Sequence, residues 1–151
     1  MKIVIGYDGS ASADAAVNEV LNRTWPAGTE VRIVTAVPAY QSALSAEGLA
    51  FYSPVWRRAV AAARAQARRR IDQVIERFGA RPDLRTSCEV RDEPPALALL
   101  EVVRQWGADL LVLGSQGMSP LERLLIGSVC HAMVSHAPCT VEVVRLPLAA
   151  A

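Results

Sequence analysis

Residues 109–117, Asp-Leu-Leu-Val-Leu-Gly-Ser-Gln-Gly, are the stretch that indicates the fold class most directly. The four consecutive apolar residues at 110–113 present no polar side to water, so the strand that they predict is covered on both faces. The glycines that follow let the backbone come close to a ligand. A strand of this kind belongs in a parallel sheet with a layer of helices on each side.

Strands and helices alternate on both sides of this stretch. The predicted strands cover 3–5, 31–37, 84–90, 109–114 and 141–144. The predicted helices cover about 13–21, 56–78 and 95–106, and a fourth begins near 128. Because helical crossovers place successive strands parallel, the pattern predicts an α/β fold with an open, doubly wound sheet of five parallel strands and helices on both faces.

The longest predicted helix carries one apolar stripe at spacings of three and four residues. Its members are Trp56, Val60, Ala63, Ala67, Ile71, Val74 and Phe78. A polar stretch at 38–54 precedes the helix, and long connections of this kind are usually functional or mobile.

Composition narrows the class of protein. The chain has 151 residues, of which 52% are hydrophobic and 21% charged, which predicts one globular domain over 1–151 and excludes a disordered or collagen-like chain. A net charge of +1 gives no long-range attraction to nucleic acid or to a membrane, and we expect neither as a partner. An odd number of cysteines, three, without CxxC predicts free thiols and a cytoplasmic location.

Ligands of open parallel sheets bind beyond the carboxyl ends of the strands, where the strand order reverses. Asp8 ends the first predicted strand, and Gly114 ends the fourth. Gly127 and Ser128 open a helix whose unpaired N–H groups suit a phosphate, and Arg123 is near enough in sequence to add a positive charge. Neither GxxxxGK[ST] nor a GxGxxG after the first strand is present, so the two common nucleotide motifs are excluded.

The spacing Gly-x2-Gly-x9-Gly-Ser, at Gly114, Gly117, Gly127 and Ser128, resembles the ATP-binding signature of the universal stress protein family. Three further features resemble this family. They are an opening strand that runs into Asp8-Gly9-Ser10, the long loop after the second strand, and His136-Ala137-Pro138-Cys139 before a final valine-rich strand. The resemblance covers essentially the whole chain.

This resemblance implies a strand order of 3-2-1-4-5, like that of the adenine nucleotide alpha hydrolases, which puts Asp8 beside Gly114. It implies that Asp8 contacts the sugar, that Ala36 and Val37 present backbone to adenine, and that the glycine segments hold the phosphates. The implied site comprises Gly6, Tyr7, Asp8, Ala36, Val37, Gly114, Ser115, Gly117, Arg123, Gly127, Ser128 and Val129.

The implied cofactors are ATP and Mg²⁺, with the metal held by the phosphates rather than by the protein and with no catalytic residue. The resemblance also implies a homodimer that pairs through the last strand, at Val141 and Val143. The expected function is that of a nucleotide-binding stress-response regulator with an unidentified regulatory protein partner.

The chain departs from the usual family pattern at four positions. Gln116 replaces a common arginine or histidine, and Cys130 replaces a hydroxyl with a thiol, which is a weaker donor. Thr140 replaces a frequent proline and restores a backbone N–H, while Glu142 places a charge inside the last strand.

Several alternative interpretations stay open from the sequence. Asp8 is equally typical of a turn, and Ser128 of a helix N-cap. Cys130 suits either a buried core position or a redox-sensitive thiol at a helix N-terminus, and the arginines at 57–69 suit either a solvated face or a nucleic-acid patch. The alternative functions are a nucleotide-free dimeric interaction module, a slow ATPase or autophosphorylating protein, and a receptor for AMP or a cyclic nucleotide.

Overall fold

The computed structural model describes residues 1–37, 54–116 and 127–146, which contain five strands and four helices in strict alternation. The strands are β1 (Lys2–Gly6), β2 (Glu30–Ala36), β3 (Arg85–Arg91), β4 (Leu110–Gly114) and β5 (Thr140–Val144). The helices are α1 (Ala11–Asn22), α2 (Pro54–Phe78), α3 (Pro95–Trp106) and α4 (Ser128–His136). The ends of the predicted elements differ from these bounds by at most two residues.

All five strands are parallel and lie in the order β3-β2-β1-β4-β5. The predicted order 3-2-1-4-5 is therefore confirmed. Gly6, at the end of β1, pairs with Val34 of β2 on one side and with Leu113 of β4 on the other. The strand order reverses at this point, and the carboxyl ends of β1 and β4 lie side by side.

Alternate residues of the central strands face opposite helix layers. Ile3 and Ile5 of β1 are fully buried against the layer that α1 and α2 form. Val4, between them, is buried with Leu111 against the layer that α3 and α4 form. Helices on both faces of the sheet are thus confirmed.

The apolar stripe of α2 is buried over only half of its length. Burial begins at Ala67 and continues through Phe78, whereas Ala63 is exposed and Val60 is half-buried. The apolar stripe of the sequence is therefore longer than the buried face of the helix. The reason is geometric: a 25-residue helix is about 37 Å long, whereas the seven-residue strands beneath it span about 23 Å.

The helix ends use the signals that the sequence carries. Ser10 caps α1 by accepting a hydrogen bond from the N–H of Ala13 at 3.2 Å. Pro95 opens α3, and Gly107 closes it in the left-handed conformation at φ 65°. These caps direct the N-termini of α1 and α3 toward the carboxyl edge of the sheet.

Two arginines on the exposed side of α2 are paired with acids. Arg64 forms an ion pair with Asp92, and Arg68 forms one with Asp72 at 3.0 Å. These pairs support the interpretation of a solvated face. No helix in the part of the chain that the structure describes is long and apolar enough to cross a membrane.

Candidate functional site

A cleft opens at the carboxyl edge of the sheet, where β1 and β4 lie side by side. Its walls come from the strand ends and from the first turns of three helices, α1, α3 and α4. The lining residues are Gly6, Tyr7, Asp8, Ala13, Val34, Ala36, Pro95, Leu99, Leu113, Gly114, Gln116, Val129 and Cys130. Six of the predicted site residues are among them, and Asp8 is the one charged residue in this lining.

Asp8 has the turn role that the sequence predicts for it, and one of its oxygens is not used in the turn. Its Oδ1 accepts a hydrogen bond from the N–H of Ser10 at 2.9 Å, which is the turn role. Within the described residues, its Oδ2 has no hydrogen-bond donor. The carboxylate thus shapes the turn with one oxygen and keeps the other available at the cleft.

Tyr7 and Gly6 form the base of the cleft. The Tyr7 hydroxyl donates to Oδ1 of Asp14 at 3.2 Å, and burial, followed by the charge of Asp14, raises the pKa of Tyr7. A Cβ on Gly6 would overlap the side chain of Leu113 and lie 3.2 Å from Leu99. Both residues therefore have a packing role at the strand end.

Gly114 is a glycine because α1 lies directly above it. A Cβ at this position would lie 2.5 Å from the carbonyl oxygen of Ser12 and 2.6 Å from the backbone nitrogen of Ala13. The sequence allows two roles for this glycine, close approach to a ligand and a loop that fits beneath a helix. The structure shows that close helix packing already requires it.

The first turn of α1 also holds the segment after β4. The hydroxyl groups of Ser12 and Ser10 both donate to the backbone carbonyl of Gln116, the latter at 3.3 Å. This contact was not predicted from the sequence. One hydroxyl group is enough to cap a helix, so the second serine of Ser10-Ala11-Ser12 was the signal that a hydroxyl group has another partner.

Two N–H groups of the predicted phosphate loop are already engaged. The N–H of Ser115 donates to the carbonyl of Val144 at 2.8 Å, and the N–H of Gly127 donates to the carbonyl of Ser115 at 2.9 Å. Neither N–H is available to a phosphate. These two hydrogen bonds fix the start of α4 against the end of the sheet, and phosphate binding by this segment stays a prediction.

The next two N–H groups, those of Ser128 and Val129, have no partner among the described residues. The helical hydrogen bonds of α4 begin with the N–H of His131, which donates to the carbonyl of Gly127 at 3.0 Å. In the described part of the chain, the N–H groups of Ser128 and Val129 have no acceptor, and the first turn of α4 carries no acid. This end of α4 attracts an anion.

Cys130 follows these residues, and its environment keeps it neutral. The side chain is buried, and its thiol donates to the carbonyl of Gly114 at 3.0 Å. Burial, followed by the nearby charge of Asp8, raises the pKa of the Cys130 thiol. The interpretation as a redox thiol activated by the helix N-terminus is therefore wrong, because that role needs a lowered pKa.

The two residues predicted to face adenine differ in their position. Ala36 lines the cleft. Val37 does not, and its N–H donates to the carbonyl of Arg91 at 2.7 Å. β3 thus accepts the hydrogen bond of the Val37 N–H, and backbone contact of Val37 with adenine stays a prediction. Gly117 and Arg123 lie outside the described residues, as does segment 38–53.

No metal centre is formed by the residues that the structure describes. They contain no group of three or more histidine, cysteine, aspartate or glutamate side chains placed to hold an ion. In the described cleft, the N–H groups at the start of α4 can bind an anion. The carboxylate of Asp8 can accept hydrogen bonds from hydroxyl groups.

The sequence pattern of the Universal stress protein family matches residues 1–145. The chain belongs to this family. Universal stress protein MJ0531 from Methanocaldococcus jannaschii is 32% identical over 82 residues, which cover 54% of this chain and 46% of that protein. The chain thus spans less than half the length of this curated relative, and about a third of the length of its staphylococcal relatives.

Solved structures of the family share the fold of this universal stress protein. UspA from Lactobacillus plantarum is 26% identical, with a TM-score of 0.78 over 96% of this chain and 97% of that one. A family protein from Arabidopsis thaliana with AMP bound is 14% identical, with a TM-score of 0.65 over 96% and 91% of the two chains.

Proposed function

We propose that this universal stress protein binds an adenine nucleotide in the cleft and acts as a nucleotide-responsive stress regulator in the cytoplasm. One observation supports the proposal most strongly. Asp8 and Val129 both line the cleft, and among the described residues one oxygen of Asp8 and the N–H groups of Ser128 and Val129 have no hydrogen-bond partner. The phosphate of a nucleotide can accept hydrogen bonds from the N–H groups, and its sugar hydroxyl groups can donate to Asp8.

Each part of the nucleotide has a counterpart in the site. Oδ2 of Asp8 accepts hydrogen bonds from sugar hydroxyl groups. The N–H groups of Ser128 and Val129, with the exposed Ser128 hydroxyl, donate to phosphate oxygens. The apolar wall at Val34 and Leu99 and the backbone at Ala36 receive the base. AMP bound to the Arabidopsis relative, which has the same fold, supports an adenine ligand.

We propose ATP with Mg²⁺ as the physiological form of the ligand. Phosphate oxygens bind the metal ion, since Asp8 is the one carboxylate in the described lining of the cleft. Arg123 and Gly117 complete the contacts to the outer phosphates. When bound, Mg²⁺ neutralises phosphate charge, which offsets the negative charge that Asp8 contributes to the site.

We further propose a homodimer that pairs through β5 and presents the nucleotide state to a regulatory protein. β5 is an edge strand, and strand edges carry unpaired backbone groups. The N–H of Thr140 and the carbonyl of Val144 point to the neighbouring β4 and the segments at its ends. Because alternate residues of a strand hydrogen-bond on opposite sides, the N–H and carbonyl groups of Val141 and Val143 point outward.

The test of nucleotide binding is a calorimetric titration with two variants at one position. Ser128→Pro removes an unpaired N–H from the first position of α4, where proline is well tolerated. Gly127, with φ −60° and ψ 154°, has a conformation that accepts a following proline. Ser128→Ala keeps the N–H and removes only the hydroxyl group, so it is the matched control.

We expect the wild-type protein to bind ATP with Mg²⁺. Ser128→Pro should weaken that binding at least about tenfold, because a hydrogen bond to a charged group is lost. Ser128→Ala should weaken it less, and adenosine should bind the three proteins alike. Absence of binding to the wild-type protein, or equal ATP affinity of wild type and Ser128→Pro, would contradict the proposal.

A further inference from the structure

Arg70 occupies an unusual electrostatic position. Seven arginines among the described residues form no ion pair with an acid, and six of them are exposed: Arg57, Arg58, Arg69, Arg85, Arg104 and Arg145. Arg70, the seventh, is half-buried. A half-buried arginine with no carboxylate partner gives up part of its contact with water, so the contacts that replace it are informative.

The contacts of Arg70 are with the turn that follows β1. Its Nη1 lies 3.5 Å from the carbonyl oxygen of Asp8. A Cβ on Gly9 would lie 3.0 Å from Nη1 and 3.2 Å from Cδ of the same side chain. Gly9 has φ +84°, in the left-handed region. The side chain of Arg70 therefore lies across the glycine of the turn.

The turn under Arg70 determines the direction of the Asp8 carboxylate. The N–H of Ser10 donates to Oδ1 of Asp8 at 2.9 Å, which leaves Oδ2 for the cleft. Glycine has more conformational freedom than any other residue, so Gly9 alone holds the turn weakly. A side chain fixed on α2 and laid across Gly9 restricts that freedom.

We propose that Arg70 is a positioning residue, which holds the Asp8-Gly9-Ser10 turn so that the free oxygen of Asp8 faces the hydroxyl groups of the ligand. Arg70 reaches the backbone of Asp8 and Gly9 and is absent from the lining of the cleft, so the proposed role acts through Asp8. The ligand part of this inference rests on the proposed function. The effect of Arg70 on the turn does not rest on the proposed function, because that effect exists in the protein without ligand.

The experiment uses Arg70→Gln and Arg70→Lys, with Arg69→Gln as the matched control on the exposed side of α2. The first readout is exchange of the Ser10 amide with water, measured by NMR without ligand. The second is the affinity for adenosine, AMP and ATP, measured by calorimetry. Thermal unfolding shows that each variant is folded.

We expect Arg70→Gln to speed exchange of the Ser10 amide about tenfold and to weaken all three ligands by one common factor of about five to ten. Arg70→Lys should restore part of both effects, because lysine keeps the charge but loses the planar group. Arg69→Gln should change neither readout.

Two results would overturn the inference. Unchanged exchange of Ser10 in Arg70→Gln would show that Arg70 does not hold the turn. A loss of affinity confined to AMP and ATP would show that Arg70 contacts phosphate itself. If the wild-type protein binds none of the three ligands, the proposed function fails, and the exchange of Ser10 still decides whether Arg70 positions the turn.

Discussion

The carbonyl oxygen of Ser12 lies above Gly114 with so little space that a Cβ on residue 114 would be 2.5 Å from it. This approach brings the first turn of α1 onto the end of β4. It also lets the Ser12 hydroxyl reach the carbonyl of Gln116. The first turn of α1 and the segment after β4 are thus held together by backbone packing and by two short side chains, Ser10 and Ser12.

Gly114→Ala should destabilise the protein by about 3 kcal/mol, because the added methyl group forces two backbone segments apart. The measurement is the free energy of unfolding in urea. Gly28→Ala is the control: Gly28 has φ +77°, but a Cβ added there would have no atom within 4 Å, so about 1 kcal/mol of backbone strain is expected. Equal losses in the two variants would contradict the packing argument.

Ser12→Ala should lower the free energy of unfolding by about 1–3 kcal/mol, because it leaves the carbonyl of Gln116 with fewer donors in a poorly hydrated place. Ser135→Ala is a suitable comparison, since the exposed Ser135 hydroxyl also donates to a backbone carbonyl, that of His131, at 2.9 Å. It should cost less than about 0.5 kcal/mol. A Ser12→Ala protein as stable as Ser135→Ala would show that the hydrogen bond from Ser12 to the carbonyl of Gln116 does not stabilise the fold.

Glu142, the unusual charge in the last strand, has a partner 119 residues away in the sequence. Arg23 donates to both of its carboxylate oxygens at 2.8 Å, and also to Glu19 at 2.5 Å. A double-mutant cycle with Arg23→Gln and Glu142→Gln should give a coupling energy of about 1 kcal/mol, modest because both side chains are partly exposed.

The exposed pair Arg68–Asp72 serves as the reference for that cycle, with about 0.3–0.5 kcal/mol expected for an (i, i+4) pair. Both coupling energies should fall as salt is added, and the Arg23–Glu142 value should fall less. A coupling energy for Arg23–Glu142 no larger than that of Arg68–Asp72 would contradict the importance of the bidentate contact.

Cys130 predicts a specific pH dependence of stability. Its pKa is raised in the folded protein, so above the ordinary thiol pKa of about 8.5 the unfolded chain loses the proton while the folded protein retains it. The contribution of Cys130 is therefore complete below about pH 8.5, and the free energy of unfolding falls as the pH rises beyond it. Cys130→Ser should flatten this fall between about pH 8 and 10, and identical slopes would contradict the prediction.

The proposed dimer is tested by a proline on the outward side of β5. Val143→Pro removes an N–H that points away from β4, so it should abolish edge pairing and leave the sheet intact. Sedimentation should show a dimer for wild type and a monomer for the variant, with an unchanged circular dichroism spectrum. A wild-type monomer, or a variant dimer, would contradict pairing through β5.

Most of the fold could be predicted because each element carries a local signal. The apolar run at 110–113 and the cap residues Ser10 and Gly107 act within a few residues of where they stand. The burial of α2 could not be predicted in the same way. The periodic stripe extends to Trp56, but whether Ala63 is covered depends on the length of the strands beneath it.

The location of the cleft could be predicted from the sequence, but which N–H groups around it are free could not. Asp8 and Gly114 meet because the strand order reverses between β1 and β4. Which N–H groups remain free depends on contacts between distant segments, such as Ser115 with Val144. The same is true of Arg70, 62 residues from Asp8, whose contact leaves no trace in local sequence spacing.

The most direct test of the account is an NMR titration of the ¹⁵N-labelled, nucleotide-stripped protein with AMP and then with ATP and Mg²⁺. We expect the amide signals of Asp8, Gly114, Ser128 and Val129 to shift until the protein is saturated with nucleotide. Signals from the amino ends of the strands, such as that of Thr29, should not shift. Unshifted signals at saturating nucleotide, or shifts centred away from the β1–β4 edge, would contradict the nucleotide site proposed for this universal stress protein.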